Sequence, residues 1–258
     1  MSQTIVITGA SSGIGRALAL ASAAPDIRLG LLGRDPGRLE QIAGECRASG
    51  AEVITAAIDI RARDEMAAWL VAFDDAGPID LLVANAGIMA GTPPGGEIEP
   101  AKPAFDLMQI NVFGTLNTVQ PLLPRMMARR RGQIAIISSI AAMIPLRDSP
   151  SYCASKSALL AYGLSLRDLL RAHGIGVSVV CPGYVTTAMS RQEIGDKPFE
   201  MPPERAAQII LKGLKRDKAV IAFPFWFALI TRLGGLLPDR LRERVTRASR
   251  FSVEPAAR

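Results

Sequence analysis

The chain has 258 residues, 49% hydrophobic and 21% charged, with a formal net charge of +6. That balance is the one of a soluble globular protein, and the length suits one α/β domain around a large single core. The three cysteines (46, 153 and 181) form no C-x-x-C and no metal spacing, which argues against a disulfide scaffold or a metal site and for reduced thiols in a cytosolic protein.

The predicted elements alternate. Met1-Ser-Gln enters the first strand directly, so no signal peptide is expected. Residues 4–8, Thr-Ile-Val-Ile-Thr, are an apolar β-branched run that suits a buried parallel strand over 3–8. It runs into Gly9-Ala-Ser11-Ser12-Gly13-Ile14-Gly15, and a helical pattern over 13–24 follows. Strand, glycine turn and helix start in that order make a dinucleotide phosphate site. Glycines allow the tight turn and close approach, and the helix N-terminus offers free N–H groups. The spacing is G-x-x-x-G-x-G rather than the commoner G-x-G-x-x-G. An ordinary strand–helix turn is the bland alternative, and the context argues against it.

The second strand, 27–32, runs into Gly33-Arg34-Asp35. A site for NAD would place an acidic residue where Gly33 stands, to bond the ribose 2′-hydroxyl and repel a 2′-phosphate. Gly33 has no side chain, and the guanidinium of Arg34 suits a phosphate. Ser11 and Ser12 could add hydrogen bonds. NADP(H) is therefore expected, with NAD(H) as the alternative. Asp35 reads as the cap of a helix over 36–49 that starts with Pro36.

Further strands are predicted over 52–58, 79–84, 133–138, 175–181 and 218–222, and helices over 62–76, 101–130, 151–173 and 202–216. The alternation predicts a single α/β domain: a doubly wound parallel β-sheet (Rossmann-type) with helices on both faces. Ligands of such sheets bind at the carboxyl ends of the strands.

Two segments carry reaction chemistry. Ser139 closes the fifth strand. Tyr152 and Lys156 are four residues apart on a predicted helix and share one face. A cation beside a phenol lowers its usual pKa of about 10, and a serine hydroxyl could hold a substrate oxygen near it. A surface pair is the bland alternative for Tyr152 and Lys156. Cys153 is turned away from Tyr152 by the helix. His173, the sole histidine, sits at a helix end with nothing near it to build a Ser-His-Asp triad.

Thr8-Gly9-Ala-Ser-Ser-Gly13-Ile-Gly15, Asn85-Ala86-Gly87, Asn111, Ser139, Tyr152-Cys-Ala-Ser-Lys156 and Pro182-Gly183-Tyr-Val185-Thr-Thr187 occur in this order. Together they resemble the short-chain dehydrogenase/reductase family of NAD(P)-dependent oxidoreductases, over roughly residues 3–220. The resemblance implies that Tyr152 is the general acid in carbonyl reduction and the base in oxidation. It implies that Lys156 tunes the phenol and grips the nicotinamide ribose, and that Ser139 bonds the substrate oxygen. The main chain of Asn111 would hold a water linking Lys156 to solvent. Asp59 would accept from the adenine amino group, beside Ile60, unless it caps the next helix. Asn85, Ala86 and Gly87 would line the adenine ribose and steady the sheet. Pro182, Gly183, Val185 and Thr187 would hold the carboxamide. Ala84 stands where many relatives have a second Asn. A non-catalytic NADP(H)-binding sensor or scaffold is the rival function, and the Ser139–Tyr152–Lys156–Asn111 set argues against it. Relatives pair the long helices carrying Asn111 and Tyr152, so a homo-oligomer is expected.

The pocket walls, 141–150 and 186–203, hold Met143, Ile144, Leu146, Met189 and Met201, which suggests an apolar or lipid-like ketone or alcohol as substrate. Arg147 and Arg191 could meet an anionic group. Residues 1–222 read as the dinucleotide-binding and catalytic domain, and 223–258 as an apolar and basic helical extension packed on it. The run 219–230 is too short and too interrupted to span a bilayer. In 239–258 six arginines against three acids leave a net +3. Either the aromatics cover the cleft or a partner subunit, or they and the arginines dock on anionic lipid, giving a cytoplasmic protein with peripheral membrane contact. Arginines without stacking aromatics among them argue against nucleic acid. Arg129-Arg130-Arg131 reads only as a cationic helix end.

Overall fold

The structure is a computed structural model that describes residues 3–238, 240–241 and 251–254. Its core is a seven-stranded parallel sheet in the order β3-β2-β1-β4-β5-β6-β8. The strands are β1 (Gln3–Thr8), β2 (Ile27–Gly33), β3 (Glu52–Ala57), β4 (Leu81–Ala84), β5 (Gly132–Ile137), β6 (Ile175–Pro182) and β8 (Val220–Phe223). A two-stranded antiparallel ribbon pairs β7 (Glu193–Ile194) with β9 (Ser252–Val253). The expected doubly wound sheet is what forms, with boundaries shifted by one or two residues.

Helices cover both faces. Helices α1 (Gly13–Ser22), α2 (Pro36–Ala48) and α8 (Pro203–Leu214) pack on one side, through Leu18, Leu39 and Ile210. Helix α3 (Arg63–Ala76), segments α4 (Ala101–Met108), α5 (Gly114–Val119) and α6 (Leu123–Arg129), and helix α7 (Pro150–Arg171) cover the other, through Leu70, Met126 and Leu166. Sheet residues such as Val6, Leu31 and Val179 are 0% exposed. That accounts for the continuous apolar runs, since both faces of a parallel sheet are covered. Helix α2 begins as predicted: the Asp35 side chain accepts from the Arg38 N–H at 3.0 Å, with Pro36 in the first turn.

The helix predicted over 101–130 is not uniform. A π turn occupies Gln109–Phe113 and a 3-10 turn Gln120–Leu122. Pro121 and Pro124 lack the N–H that a continuous α-helix needs. The π turn adds a residue to the helical ladder where Asn111 turns into the sheet end. The three arginines before β5 do more than face a dipole. Arg129 pairs with the buried Asp74 at 2.8 Å and Arg131 with Asp80 at 2.6 Å, tying α6 to α3 and to the start of β4.

Helix α7 lies tight on the sheet. A Cβ on Gly163 would come 2.3 Å from Val179 Cγ2, so only glycine allows this approach. The contact seats the first turns of α7, with Tyr152 and Lys156, over the carboxyl ends of β5 and β6.

After β8 a further helix, α9 (Phe225–Gly235), turns back over the same end of the sheet. Strand β9 then returns to β7, and the Phe251 N–H donates to Asp148 Oδ2 at 3.2 Å. Of the basic tail, Arg242, Arg244, Arg247, Arg250 and Arg258 lie outside the described residues. No helix among the described residues is long and apolar enough to cross a membrane.

Candidate active site

The loops after six parallel strands open onto one cavity of about 1280 Å³. That exceeds the roughly 300–1,000 Å³ usual for a small-molecule pocket, as room for a dinucleotide and a second ligand requires. The cavity spans the gap between β1 and β4, where the strand order reverses direction, the crevice in which open α/β sheets bind nucleotides.

One wall is the turn after β1. Gly9 and Gly13 have φ of +66° and +55°, a region that strongly favours glycine. Gly9, Ser11, Ser12, Gly13 and Ile14 line the cavity. Gly15 does not line it: a Cβ there would stand 2.2 Å from the Gly9 carbonyl oxygen and 2.5 Å from Asn85 Nδ2. Its part is close packing beneath the turn. Ser12 is the N-cap of α1, yet its side chain caps no N–H, so the first-turn donors stay available to an anion. Asn85 braces the turn from β4, its Nδ2 donating to the carbonyls of Thr8 (2.8 Å) and Gly9 (3.2 Å). Thr8 Oγ1 accepts in turn from the N–H groups of Asn85 (3.0 Å) and Ala86 (3.2 Å).

Gly33 and Arg34 line the cavity after β2, and Asp59 and Ile60 after β3. Arg34 is exposed at this rim. Asp59 does not cap α3, whose N-cap is Ala62. Its carboxylate instead accepts from the Arg61 N–H at 2.9 Å and from the Arg61 guanidinium at 2.6 Å. These hydrogen bonds, with Arg34 nearby, hold the carboxyl below the usual range.

Ser139, Tyr152 and Lys156 meet on the opposite wall. Ser139 caps a short 3-10 turn (Ile140–Ala142), accepting from the Ala141 N–H at 3.1 Å. Lys156 is 5% exposed; its Nζ lies 5.5 Å from the Tyr152 ring centroid and donates to the Ile137 carbonyl at 3.1 Å. Burial pushes the lysine down to about 8. Burial likewise pushes the Tyr152 phenol up to about 12, with Ser139 partly offsetting this and Glu193 adding to it. The lowered phenol expected from the sequence is therefore not found in this geometry: burial raises it, and what lowers it is the Ser139 hydrogen bond rather than Lys156. Ser138 is structural, its hydroxyl donating to the Lys156 carbonyl at 2.8 Å.

Asn111 is fully buried. Its Oδ1 accepts from the Ile88 N–H at 2.8 Å, and its Nδ2 donates to the Ile88 carbonyl at 2.9 Å and to Ser155 Oγ at 3.2 Å. It thus links the loop after β4 to the helix carrying Tyr152 and Lys156. Its own carbonyl accepts from the Thr115 hydroxyl at 2.7 Å. Gly87 lies between these groups, where a Cβ would be 3.0 Å from Asn111 Oδ1 and 3.6 Å from Lys156 Nζ.

Pro182, Gly183, Val185 and Thr187 close the cavity beyond β6. The loop is held by the Gly183 N–H on the Phe223 carbonyl (2.7 Å) and the Thr186 N–H on the Met201 carbonyl (2.9 Å). Thr187 Oγ1 accepts from the Ser190 N–H at 3.1 Å, which leaves its hydroxyl proton free to donate.

Of the predicted pocket residues, Ile144, Leu146 and Met189 face the cavity. Met201 belongs to the core, Met143 faces a separate cleft beside α9, and neither Arg147 nor Arg191 is in the wall. Phe227 covers the cleft, as one of the two expectations for the aromatic run had it, while sequence reasoning did not single out Tyr184, Glu193 and Phe251, which also line the wall. Tyr184 sat unremarked inside the Pro182–Thr187 motif; Glu193 carried no local signal.

Comparison with known proteins gives the family and the fold. Residues 3–197 match the sequence model of the short chain dehydrogenase family. An uncharacterized oxidoreductase of Myxococcus xanthus is 34% identical over 96% of this chain and 98% of its own. Estradiol 17-beta-dehydrogenase 11 of Mus musculus is 27% identical over 92% of this chain and 80% of its own. Among solved structures, a short chain dehydrogenase from Mycobacterium paratuberculosis bound to NAD superposes with a TM-score of 0.75 at 26% identity, covering 85% of this chain and 94% of that one.

Proposed function

The chain belongs to the short-chain dehydrogenase/reductase family of oxidoreductases, and from that premise we propose that it reduces a ketone on an apolar substrate to a secondary alcohol, or the reverse, with NADP(H). The convergence of Ser139, Tyr152 and Lys156 on the cavity that also holds the glycine turn carries the reading. The cofactor, when bound, supplies or accepts a hydride. The chain's own groups handle the proton and the placement. Ser139 and Tyr152 hold the carbonyl oxygen, and the phenol gives up its proton to that oxygen as it becomes an alcohol. Lys156 orders the ribose side of the site. Asn111 fixes the loop after β4 against α7. The first-turn N–H groups of α1 and the positive-φ glycines suit a pyrophosphate. The non-catalytic sensor gains no support, because a nucleotide site alone needs no proton donor. The reading is tested by following NADPH oxidation with ketones from small aryl compounds to long-chain ones. Tight NADPH binding with no turnover across that range would sink it.

NADP(H) is preferred on this reading because the end of β2 offers Arg34 and no carboxylate. Arg34→Ala is expected to lower kcat/KM for NADPH by about 10- to 100-fold, the scale of a charge-assisted contact, with a much smaller effect for NADH. Equal losses with both cofactors would remove Arg34 from the phosphate site.

The substrate side is mostly apolar, with Ile144, Leu146, Met189 and Phe227 in its wall. Estradiol 17-beta-dehydrogenase 11, the relative already described, is named for an apolar alcohol of this kind. Oligomerisation through α4–α5 and α7 is supported by Phe105 (73% exposed) and Leu169 (65%) on those helices.

Peripheral membrane contact is a second reading favoured by α9, where Trp226 is 70% exposed, Phe225 (65%) borders the separate cleft and Ile230 (64%) borders the cavity. The full chain is expected to sediment with vesicles containing phosphatidylserine, and the double substitution Phe225→Ser, Trp226→Ser to release it. Truncation is unsuitable, because β8 belongs to the main sheet and β9 pairs with β7. Full-length protein that stays in the supernatant would end this reading.

A further inference from the structure

The cavity wall holds one buried carboxyl that the reductase chemistry does not use. Glu193 is 7% exposed and lines the cavity with apolar Met189, Phe227 and Phe251 and with charged Asp196 and Lys197. Keeping an acid there is costly unless it is hydrogen-bonded. Its Oε1 accepts from the Tyr184 hydroxyl at 3.0 Å, and among the described residues nothing donates to Oε2. The backbone around it is fixed on both sides. Glu193 pairs with Val253 in the β7–β9 ribbon, and the Glu254 N–H donates to the Gln192 carbonyl at 2.7 Å. The Tyr184 ring is in turn stacked on Phe227 at 6.2 Å. Both residues therefore reach the cavity from a rigid frame. Burial raises the Glu193 carboxyl above the ordinary range, while Tyr184 and Lys197 pull it back. Its charge also adds to the rise of the Tyr152 phenol, with which it shares the cavity.

We propose that Glu193, oriented by Tyr184, is a specificity anchor that selects apolar ketones carrying a second group, a hydroxyl or other hydrogen-bond donor, away from the reacting carbonyl. The proposal rests on the reductase reading for the word ketone, and on the wall geometry alone for the anchor. A ligand O–H placed on Glu193 supplies a donor to Oε2, which none of the described residues does. A purely hydrocarbon ligand leaves the carboxyl without that partner, and a ligand carboxylate or phosphate there meets like charge. Sites that hydrogen-bond a ligand hydroxyl discriminate strongly against the analogue that lacks it. Tyr184 is a positioning residue here, since it acts through Glu193.

The test uses matched ketones: tetralone with and without a hydroxyl at each aromatic position, and phenylcyclohexanone with and without a para-hydroxyl. Binding to the NADPH-loaded full chain is measured by calorimetry, and KM and kcat from NADPH oxidation. At least one hydroxylated ketone is expected to bind roughly 10- to 100-fold more tightly than its parent, the range for a hydrogen bond to a charged group. The difference should fall on Kd and KM rather than on kcat. Glu193→Leu should bring the ratio near one. Glu193→Gln, which keeps an acceptor without the charge, should give an intermediate ratio, and Tyr184→Phe should lower it. If the leucine variant does not fold, the other two carry the same comparison. A ratio near one for every pair in the unaltered protein overturns the anchor. So does a ratio that Glu193→Gln and Tyr184→Phe leave at its original value, and so does a failure of every ketone to bind. Discrimination in binding without any NADPH oxidation overturns the reductase reading and leaves the anchor standing.

Discussion

Tyr152→Phe is expected to abolish ketone reduction while leaving NADPH binding near its original strength. The substitution keeps the ring and removes the proton donor. Losing a positioned general acid costs about 10²- to 10⁴-fold in rate. The partly buried ring packs in the first turn of α7, so the protein should still fold and keep its cavity. The pH dependence of the unaltered protein follows from the same pair. Reduction needs the protonated phenol. Burial pushes Tyr152 up to about 12, so the acid form persists through neutral and mildly alkaline pH. Lys156, pushed down to about 8 by its own burial, loses its charge above that value. Reduction should therefore be flat through neutral pH and decline once pH passes about 8, as the ammonium is discharged. Oxidation needs the phenolate and should rise with pH instead. Rate profiles in both directions check the signs. A Tyr152→Phe protein that retains a tenth or more of its reduction rate, far above the loss expected of an essential acid, would mean that the proton comes from another group.

Gly15→Ala is expected to weaken NADPH binding by about 100-fold or more and to lower the melting temperature. Gly15 is not in the cavity wall, so the effect must pass through the turn above it. The new Cβ would stand 2.2 Å from the Gly9 carbonyl oxygen, backbone that cannot swing aside, and 2.5 Å from the Asn85 amide that braces the turn. Overpacking of this kind costs about 1–3 kcal/mol or more. Relief requires moving Gly9 and the first-turn N–H groups of α1, the groups that suit a pyrophosphate. Titration of NADPH by calorimetry, with a thermal melt alongside, separates the two losses. Unchanged affinity would mean that the turn tolerates displacement and that close packing at Gly15 does not set the cradle.

The sequence determined the sheet and the side of it that matters. Each parallel strand is buried on both faces, so its signal is a local apolar run such as Ile5-Val6-Ile7, legible without knowing its neighbours. The glycine turn is equally local, because Gly9 and Gly13 adopt positive φ in a turn only a few residues long. The i, i+4 spacing of Tyr152 and Lys156 fixed their common face before any packing was known. Asp35 was legible as a cap for the same reason.

Only the tertiary structure decided the rest. Whether Lys156 lowers the Tyr152 phenol depends on how deeply both lie, and desolvation is a property of the packed cavity. Asn111 is held by hydrogen bonds to Ile88, 23 residues away, a pairing that no local pattern records. Asp59 was open between helix cap and acceptor for the adenine amino group, and with Ala62 as N-cap and the Asp59 carboxylate on Arg61 it does not cap α3. Met201 read as pocket and lies in the core, while Tyr184 and Glu193 form the wall. A pocket is assembled from segments remote in sequence, and no local pattern records which way each one faces. The aromatic run after β8 was readable as apolar; that it folds into α9 and turns Phe227 onto the cavity and Trp226 outward was decided by packing over the sheet end.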